Sequence, residues 1–178
     1  VLNSYDAPDD NVDGLAWHNG DLYAVANGYH PDWGSLPPRI YKMASSTGAT
    51  LVDFEIKSPE GNYGGGIVYD NISSLASDGT YLYAGEREPG VCYFKIRLNP
   101  NDGLPDSSEQ VCAGGEFQWT YYTGSLEVIA AAGIETTLML SGHGDTGQVL
   151  TRYQRDDGFV KEQFFVGGRS IEGMAYIG

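Results

Sequence analysis

The segment Val12-Asp13-Gly14-Leu15-Ala16-Trp17 is the first of four similar segments along the chain, and this recurrence indicates the fold. Copies that recur at intervals of about 45 to 60 residues indicate a repeat architecture, in which stacked units bury a core that no single unit can bury alone. The three further copies are Ile72-Ser73-Ser74-Leu75-Ala76-Ser77, Leu126-Glu127-Val128-Ile129-Ala130-Ala131 and Ile171-Glu172-Gly173-Met174-Ala175-Tyr176.

More short apolar runs follow the first three copies, with turn residues between them. Asn19-Gly20 and Asp78-Gly79 separate the first run from the second, and such dipeptides are strong hairpin signals. The pattern predicts units of four short antiparallel strands joined by tight turns. The later runs lie at residues 21–25, 39–43 and 51–56, at 81–85, 93–96 and 109–113, and at 137–141, 150–153 and 160–166.

A four-stranded unit of this size is typical of a β-propeller blade. We therefore predict an all-β fold, a propeller-type array with four-stranded antiparallel blades at residues 12–56, 72–114 and 126–167. An outer strand at 1–6 and an inner strand at 171–177 remain as one split or incomplete blade. A helix over 125–140 is the competing prediction, because Leu126 to Ala131 is helix-permissive, although Gly133 interrupts it.

The first unit resembles a known family. Its runs Asp-Gly-Leu-Ala-Trp, Asn-Gly-Asp-Leu-Tyr-Ala-Val, Arg-Ile-Tyr-Lys-Met and Ser-Thr-Gly-Ala-Thr-Leu-Val-Asp-Phe are similar to the degenerate blades of six-bladed propellers of the gluconolactonase and NHL-like type. The resemblance covers nearly the whole chain and implies the fold alone. Propellers of this kind serve as lactonases, esterases, cyclotransferases, cofactor scaffolds and plain binding or structural modules.

The predicted strands do not close a ring, because propellers have four to eight blades and three full blades leave two strands over. One expectation is that this chain is part of a longer protein whose further blades complete it. Another is that open strand edges bind further copies of the chain, which would give a dimer or a filament. A small four-bladed ring with a split last blade is the third alternative.

Composition excludes several classes of partner. The chain has 25 glycines among 178 residues and a formal net charge of −14, so turns are frequent and binding to nucleic acid or to an anionic membrane surface is not expected. No run approaches the roughly 18 apolar residues of a membrane helix, so membrane insertion is not expected either.

The two cysteines lie in strand-like surroundings on either side of a turn-rich stretch. Cys92 and Cys112 therefore suit a cross-strand disulfide in one long hairpin, and the alternative is a pair of buried free thiols. A bridge, together with few lysines, favours an extracellular or periplasmic location.

The four inner strands share one equivalent position that carries mostly acidic residues: Asp13, Ser73, Glu127 and Glu172. In a propeller these positions approach the central channel, where clustered carboxylates suit Ca²⁺ as a cofactor. The resemblance implies that Glu172-Gly173 matches the glutamate before glycine that binds metal in gluconolactonases. The alternative is that these acids accept backbone hydrogen bonds at strand ends.

Three loop residues are candidate ligand contacts. His30, Trp33 and His143 follow second strands, where propeller loops carry function, although such residues are often ordinary loop residues. No histidine stands in a nucleophile motif with serine and aspartate. Asn71 opens a glycosylation sequon. Aromatic residues between the strands suit either stacking on sugar rings or packing between blades: Tyr29, Trp33, Tyr63, Phe117, Trp119, Tyr121 and Tyr122.

The sequence therefore predicts a non-enzymatic extracellular module with a structural or ligand-binding role, whose ligand is a glycan or a protein. The alternative is a divalent-metal-dependent hydrolase of the lactonase or esterase kind, with Asp13, Glu127 and Glu172 at an acidic central-channel site.

Overall fold

The chain is all-β in its described part. The computed structural model describes residues 4–26, 29–30, 34–35, 37–56, 72–86, 92–112, 120–129, 137–144, 147–154 and 160–166. These residues form fourteen strands and no helix, which confirms the predicted fold class at that level. Within the same ranges, no helix has the length and apolar character needed to span a membrane.

The first sheet is antiparallel and has four strands in the order β1-β2-β5-β6, beside a small β3-β4 hairpin. Its predicted Asn-Gly turn is confirmed, because Asn19 and Gly20 have φ angles of 49° and 97°, as a hairpin turn of the mirror-image type requires. The strands are β1 (Val12–His18), β2 (Asp21–Ala26), β3 (Tyr29–His30), β4 (Gly34–Ser35), β5 (Arg39–Met43) and β6 (Thr50–Glu55).

The second sheet repeats this arrangement in the order β10-β9-β8-β7. Its first turn is held by Asp78, whose Oδ1 accepts hydrogen bonds from the backbone N–H groups of Thr80 and Tyr81, both at 2.7 Å. The strands are β7 (Ile72–Ser77), β8 (Tyr81–Glu86), β9 (Cys92–Leu98) and β10 (Pro105–Cys112).

The third sheet has the order β11-β12-β13-β14. The competing helix prediction is wrong in its described part, because β11 pairs with β12 from Thr120 opposite Gly144 to Ile129 opposite Thr137. The strands are β11 (Thr120–Ile129), β12 (Thr137–Gly144), β13 (Gly147–Gln154) and β14 (Val160–Val166).

The three sheets contact each other through their first strands, since β7 contacts both β1 and β11. Gly14 makes the first contact possible. A Cβ at Gly14 would stand 2.9 Å from the backbone nitrogen of Leu75 and from the Cα of Ser74. Only a glycine tolerates that approach without a backbone shift, so β1 and β7 pack backbone against backbone.

The core lies between the first two sheets. Side chains from both are almost fully buried there, and each large apolar side chain buried in this way contributes about 1.5–3 kcal/mol to folding. Members of this core include Tyr23, Ile40 and Phe54 of the first sheet and Leu82, Phe94 and Ile96 of the second.

An N-terminal segment, residues 4–11, lies along the outer part of the first sheet. The Tyr5 hydroxyl donates to the carbonyl of Ser46 at 2.9 Å, and a Cβ at Gly48 would overlap the Tyr5 ring. The Tyr41 hydroxyl donates to Asp9 Oδ2 at 3.0 Å. Residues 4–6 have no strand pairing, and residues 1–3 and 171–177 lie outside the described ranges, so the two leftover strands stay predictions.

Candidate functional site

Of the three predicted calcium ligands, the structure describes the side chain of Asp13 alone. Asp13 is exposed on β1, Glu127 lies in β11, and Glu172 lies outside the described part of the chain. Among the residues that the structure describes, no three histidine, cysteine, aspartate or glutamate side chains form a group that would hold a metal ion. The donor set that Ca²⁺ prefers is therefore not assembled there, and the calcium site stays a prediction.

The predicted ligand contacts lie partly in strands. His30 pairs with Gly34 in the small β3-β4 hairpin, and His143 lies in β12, opposite Tyr122 and Gln148. His143 is thus in a strand and not in a loop as expected. Trp33 and the sequon residue Asn71 lie outside the described residues.

The two cysteines stand directly opposite each other. In the β9-β10 ladder the residue that pairs with Cys92 is Cys112. Directly opposed residues of antiparallel strands have Cα atoms about 4.5–5.5 Å apart, and disulfides span Cα distances of about 4.4–6.8 Å. The register agrees with the predicted bridge, and the bridge itself stays a prediction.

A polar contact that sequence reasoning missed joins the first two sheets at their inner end. His18 is only 5% exposed, and its Nδ1 lies 2.8 Å from the Ser77 hydroxyl of the neighbouring sheet. The Asn19 amide nitrogen lies 3.1 Å from His18 Nε2 and donates to the carbonyl of Gly79 at 2.9 Å. We call His18, Asn19, Ser77 and Gly79 the inner latch.

The hydrogen-bond partners of the two ring nitrogens show which nitrogen of His18 carries the proton. The carbonyl of Gly79 can only accept, which fixes the amide nitrogen of Asn19 on that side and makes His18 Nε2 an acceptor. Nδ1 then carries the proton and donates to Ser77 Oγ, which also accepts from the Gly79 N–H at 3.1 Å. A nucleophilic serine needs a histidine nitrogen that accepts its proton. The inner latch is therefore a structural contact in this tautomer.

The surroundings of His18 favour the neutral form of its imidazole. Burial lowers the pKa of its imidazole, against the opposing effect of the nearby Asp78 carboxylate. The ring of Tyr23 stands edge-on to the imidazole, with centroids 5.7 Å apart. On the same side Lys42 pairs with Asp21 at 3.0 Å. A proton added to His18 would convert the acceptor Nε2 into a donor facing the Asn19 amide, which would break that hydrogen bond.

An open groove lies at the outer end of the junction between the same two sheets. It has a volume of about 530 Å³, within the range of about 300–1,000 Å³ that is common for ligand pockets. The first sheet contributes an ion-paired arginine, a phenylalanine and a glutamate, and the second contributes apolar and hydroxyl side chains. We call this the outer groove, and it is lined by Arg39, Phe54, Glu55, Leu104, Pro105, Ser107 and Ser108.

Charge and hydrogen bonding in the outer groove favour a neutral ligand. Arg39 is paired with Asp53 and, at 2.8 Å, with Glu55, so its charge is already compensated. The Ser108 Oγ is buried and bonds to no residue in the part of the chain that the structure describes. An unpaired buried hydroxyl costs about 1–3 kcal/mol, and a ligand group would offset this cost if the Ser108 side chain turned toward the groove.

Comparison of the chain with protein-family models and with curated proteins finds no match.

Proposed function

We propose that this chain is a non-enzymatic β-propeller-type binding module that holds a neutral glycan in the outer groove. The observation that carries this proposal is the unpaired Ser108 hydroxyl in a groove of ligand size. The propeller arrangement is supported by three successive four-stranded sheets whose first strands carry copies of one motif and lie side by side.

The chemistry of the groove favours a sugar among neutral ligands. Leu104 and Pro105 supply apolar surface for the C–H face of a pyranose ring, and Ser107, Ser108 and the Glu55 carboxylate supply partners for its hydroxyls. Burial of a few convergent polar groups among apolar ones is typical of small-ligand sites. The acidity of the whole chain, with a net charge of −14, disfavours anionic ligands.

The same proposal places the protein in an extracellular or periplasmic compartment. The directly opposed Cys92 and Cys112 support this, because disulfides persist in oxidising compartments.

A glycan array probed with the full chain tests the groove. We expect binding of a neutral glycan, loss of that binding in Ser107→Trp, which fills the groove, and unchanged binding in the control Ser46→Trp on an exposed turn. Binding to no glycan, or equal binding by all three proteins, contradicts the proposal.

The metal-dependent hydrolase is the alternative that must be tested beside it. Ca²⁺ is titrated by calorimetry into chelator-treated protein and into Glu172→Gln, and hydrolysis of p-nitrophenyl acetate and dihydrocoumarin is followed with each. No heat and no calcium-dependent turnover are expected from a binding module. Binding and turnover that both disappear in Glu172→Gln would establish the enzyme instead.

A further inference from the structure

An apolar strip is exposed on β1, on the side that faces away from β7. Leu15 is 59% exposed and Trp17 is 60% exposed. In the second copy of the motif, the residue equivalent to Leu15 is Leu75, which is only 4% exposed. The same side of the motif is thus covered in the second sheet and uncovered in the first.

The β1-β7 contact shows how this side of the motif is normally covered. The backbone of Ser74 and Leu75 lies against Gly14, and the Ser77 hydroxyl lies 2.8 Å from His18 Nδ1. In this contact β1 is the covering strand, and the side it turns toward β7 carries Gly14, Ala16 and His18. The covered strand is β7, and the side it turns toward β1 carries Leu75 and Ser77. The residues of β1 that correspond to Leu75 and Ser77 are Leu15 and Trp17.

The uncovered strip is one strand wide. Ala24 pairs with Leu15 across β1 and β2 and is 0% exposed, and Met43, farther out on the same side, is 4% exposed. Residues 4–11 lie over the outer part of this side, where Tyr41 donates to Asp9. A single strand is enough to cover what remains.

The fourth copy of the motif has the side chains that a covering strand needs. Gly173, Ala175 and Ile177 stand at the positions of Gly14, Ala16 and His18. The third copy has Val128 at the glycine position, so it lacks the feature that lets a neighbour approach. In a contact between the fourth copy and β1, Ile177 takes the place of His18 and Trp17 takes the place of Ser77. The polar pair is thus replaced by an apolar one, which suits an exposed tryptophan.

We propose that residues 171–177 of the same chain pack on this strip, with Gly173 against Leu15 and Ile177 against Trp17. The proposal rests on the stacked arrangement in the proposed function and not on the outer groove. Packing of residues 171–177 on the strip can therefore hold even if no glycan binds. Conversely, a glycan can bind in the outer groove even if these residues do not pack there. If residues 171–177 cover the strip, the array of sheets is closed within one chain and needs no further copy of the chain.

Thiol crosslinking tests the pairing in the full chain. Trp17→Cys/Ile177→Cys is treated with dibromobimane, which bridges two adjacent thiols, beside wild type and the control Trp17→Cys/Asn101→Cys, whose second cysteine lies on an exposed turn of the second sheet. We expect an intrachain bridge between residues 17 and 177, identified by peptide mass spectrometry, in the first variant alone. No bridge, or a bridge between two chains, overturns the proposal.

Footprinting of the wild-type chain gives the same answer without a substitution. Hydroxyl-radical oxidation of Trp17 is measured by mass spectrometry in native and in urea-unfolded protein over a series of dilutions. Packing within one chain predicts oxidation several-fold slower in the native protein at every concentration. Equal oxidation in both states shows an uncovered strip, and protection lost on dilution shows that a second copy covers it; either result contradicts the proposal.

Discussion

The inner and outer ends of one junction, between the first and second sheets, differ in how their polar groups are satisfied. At the inner end, two hydrogen bonds cross between the sheets, from His18 to Ser77 and from Asn19 to the carbonyl of Gly79. At the outer end, Ser108 has a buried hydroxyl without a partner in the described part of the chain, beside an open groove. The inner end therefore joins the two sheets by hydrogen bonds, whereas the outer end has the groove in which the proposed glycan would bind.

Gly14→Val breaks the inner end and has the largest expected effect. The new side chain would overlap backbone atoms of Ser74 and Leu75, which cannot rotate away. We expect a loss of about 3 kcal/mol in the free energy of unfolding, measured by urea denaturation. The control Thr50→Val, exposed on β6, should stay within about 0.5 kcal/mol of wild type, and an equal loss in both would contradict close packing at Gly14.

His18→Ala removes the centre of the inner latch. The variant leaves Ser77 and Asn19 without their shared partner, so the free energy of unfolding should fall by about 2 kcal/mol. A double-mutant cycle with Ser77→Ala should give a coupling of about 1 kcal/mol, because the two side chains act through one hydrogen bond. Strictly additive losses would show that no such bond stabilises the protein.

Acid should weaken the inner latch. The pKa of His18 is lowered by burial in the folded protein from the usual 6.5, so just below pH 6.5 the unfolded chain binds more protons than the folded one. The contribution of neutral His18 to the free energy of unfolding is therefore fully present well above pH 6.5 and is lost as the pH decreases toward the lowered pKa. Thermal denaturation over this range should show a smaller fall in His18→Gln, and identical pH profiles would contradict the assignment to His18.

Ser108→Ala tests the outer end and has the smallest expected effect on stability. Its buried hydroxyl has no partner among the described residues, so its removal should cause no loss in the free energy of unfolding and should raise it by about 1 kcal/mol. Urea denaturation measures the change. A loss as large as that of His18→Ala would show that the hydroxyl is bonded in solution.

Local features of the fold could be predicted from the sequence, and contacts between sheets could not. The four-strand units follow from alternating apolar runs and from turns such as Asn19-Gly20, which depend on neighbouring residues alone. The bond between His18 and Ser77 joins residues 59 positions apart. Its existence depends on how the sheets stack, which no local pattern contains.

The outer groove escaped prediction for the same reason. Leu104 and Pro105 read as turn residues, and Arg39 and Phe54 read as strand residues of another unit. These residues form one surface only because the first and second sheets stack against each other. The repeat did contain one further clue, because Gly14 of the first motif copy is the position where the neighbouring strand approaches closely.

Ser77→Ala and Ser108→Ala, measured side by side, test the division of the junction most directly. Each protein is unfolded in urea and titrated with a glycan that wild type binds on the array. The account predicts that Ser77→Ala loses about 1 kcal/mol of stability and still binds, while Ser108→Ala loses no stability and loses affinity. The reverse pattern, or the same pattern in both variants, would contradict it.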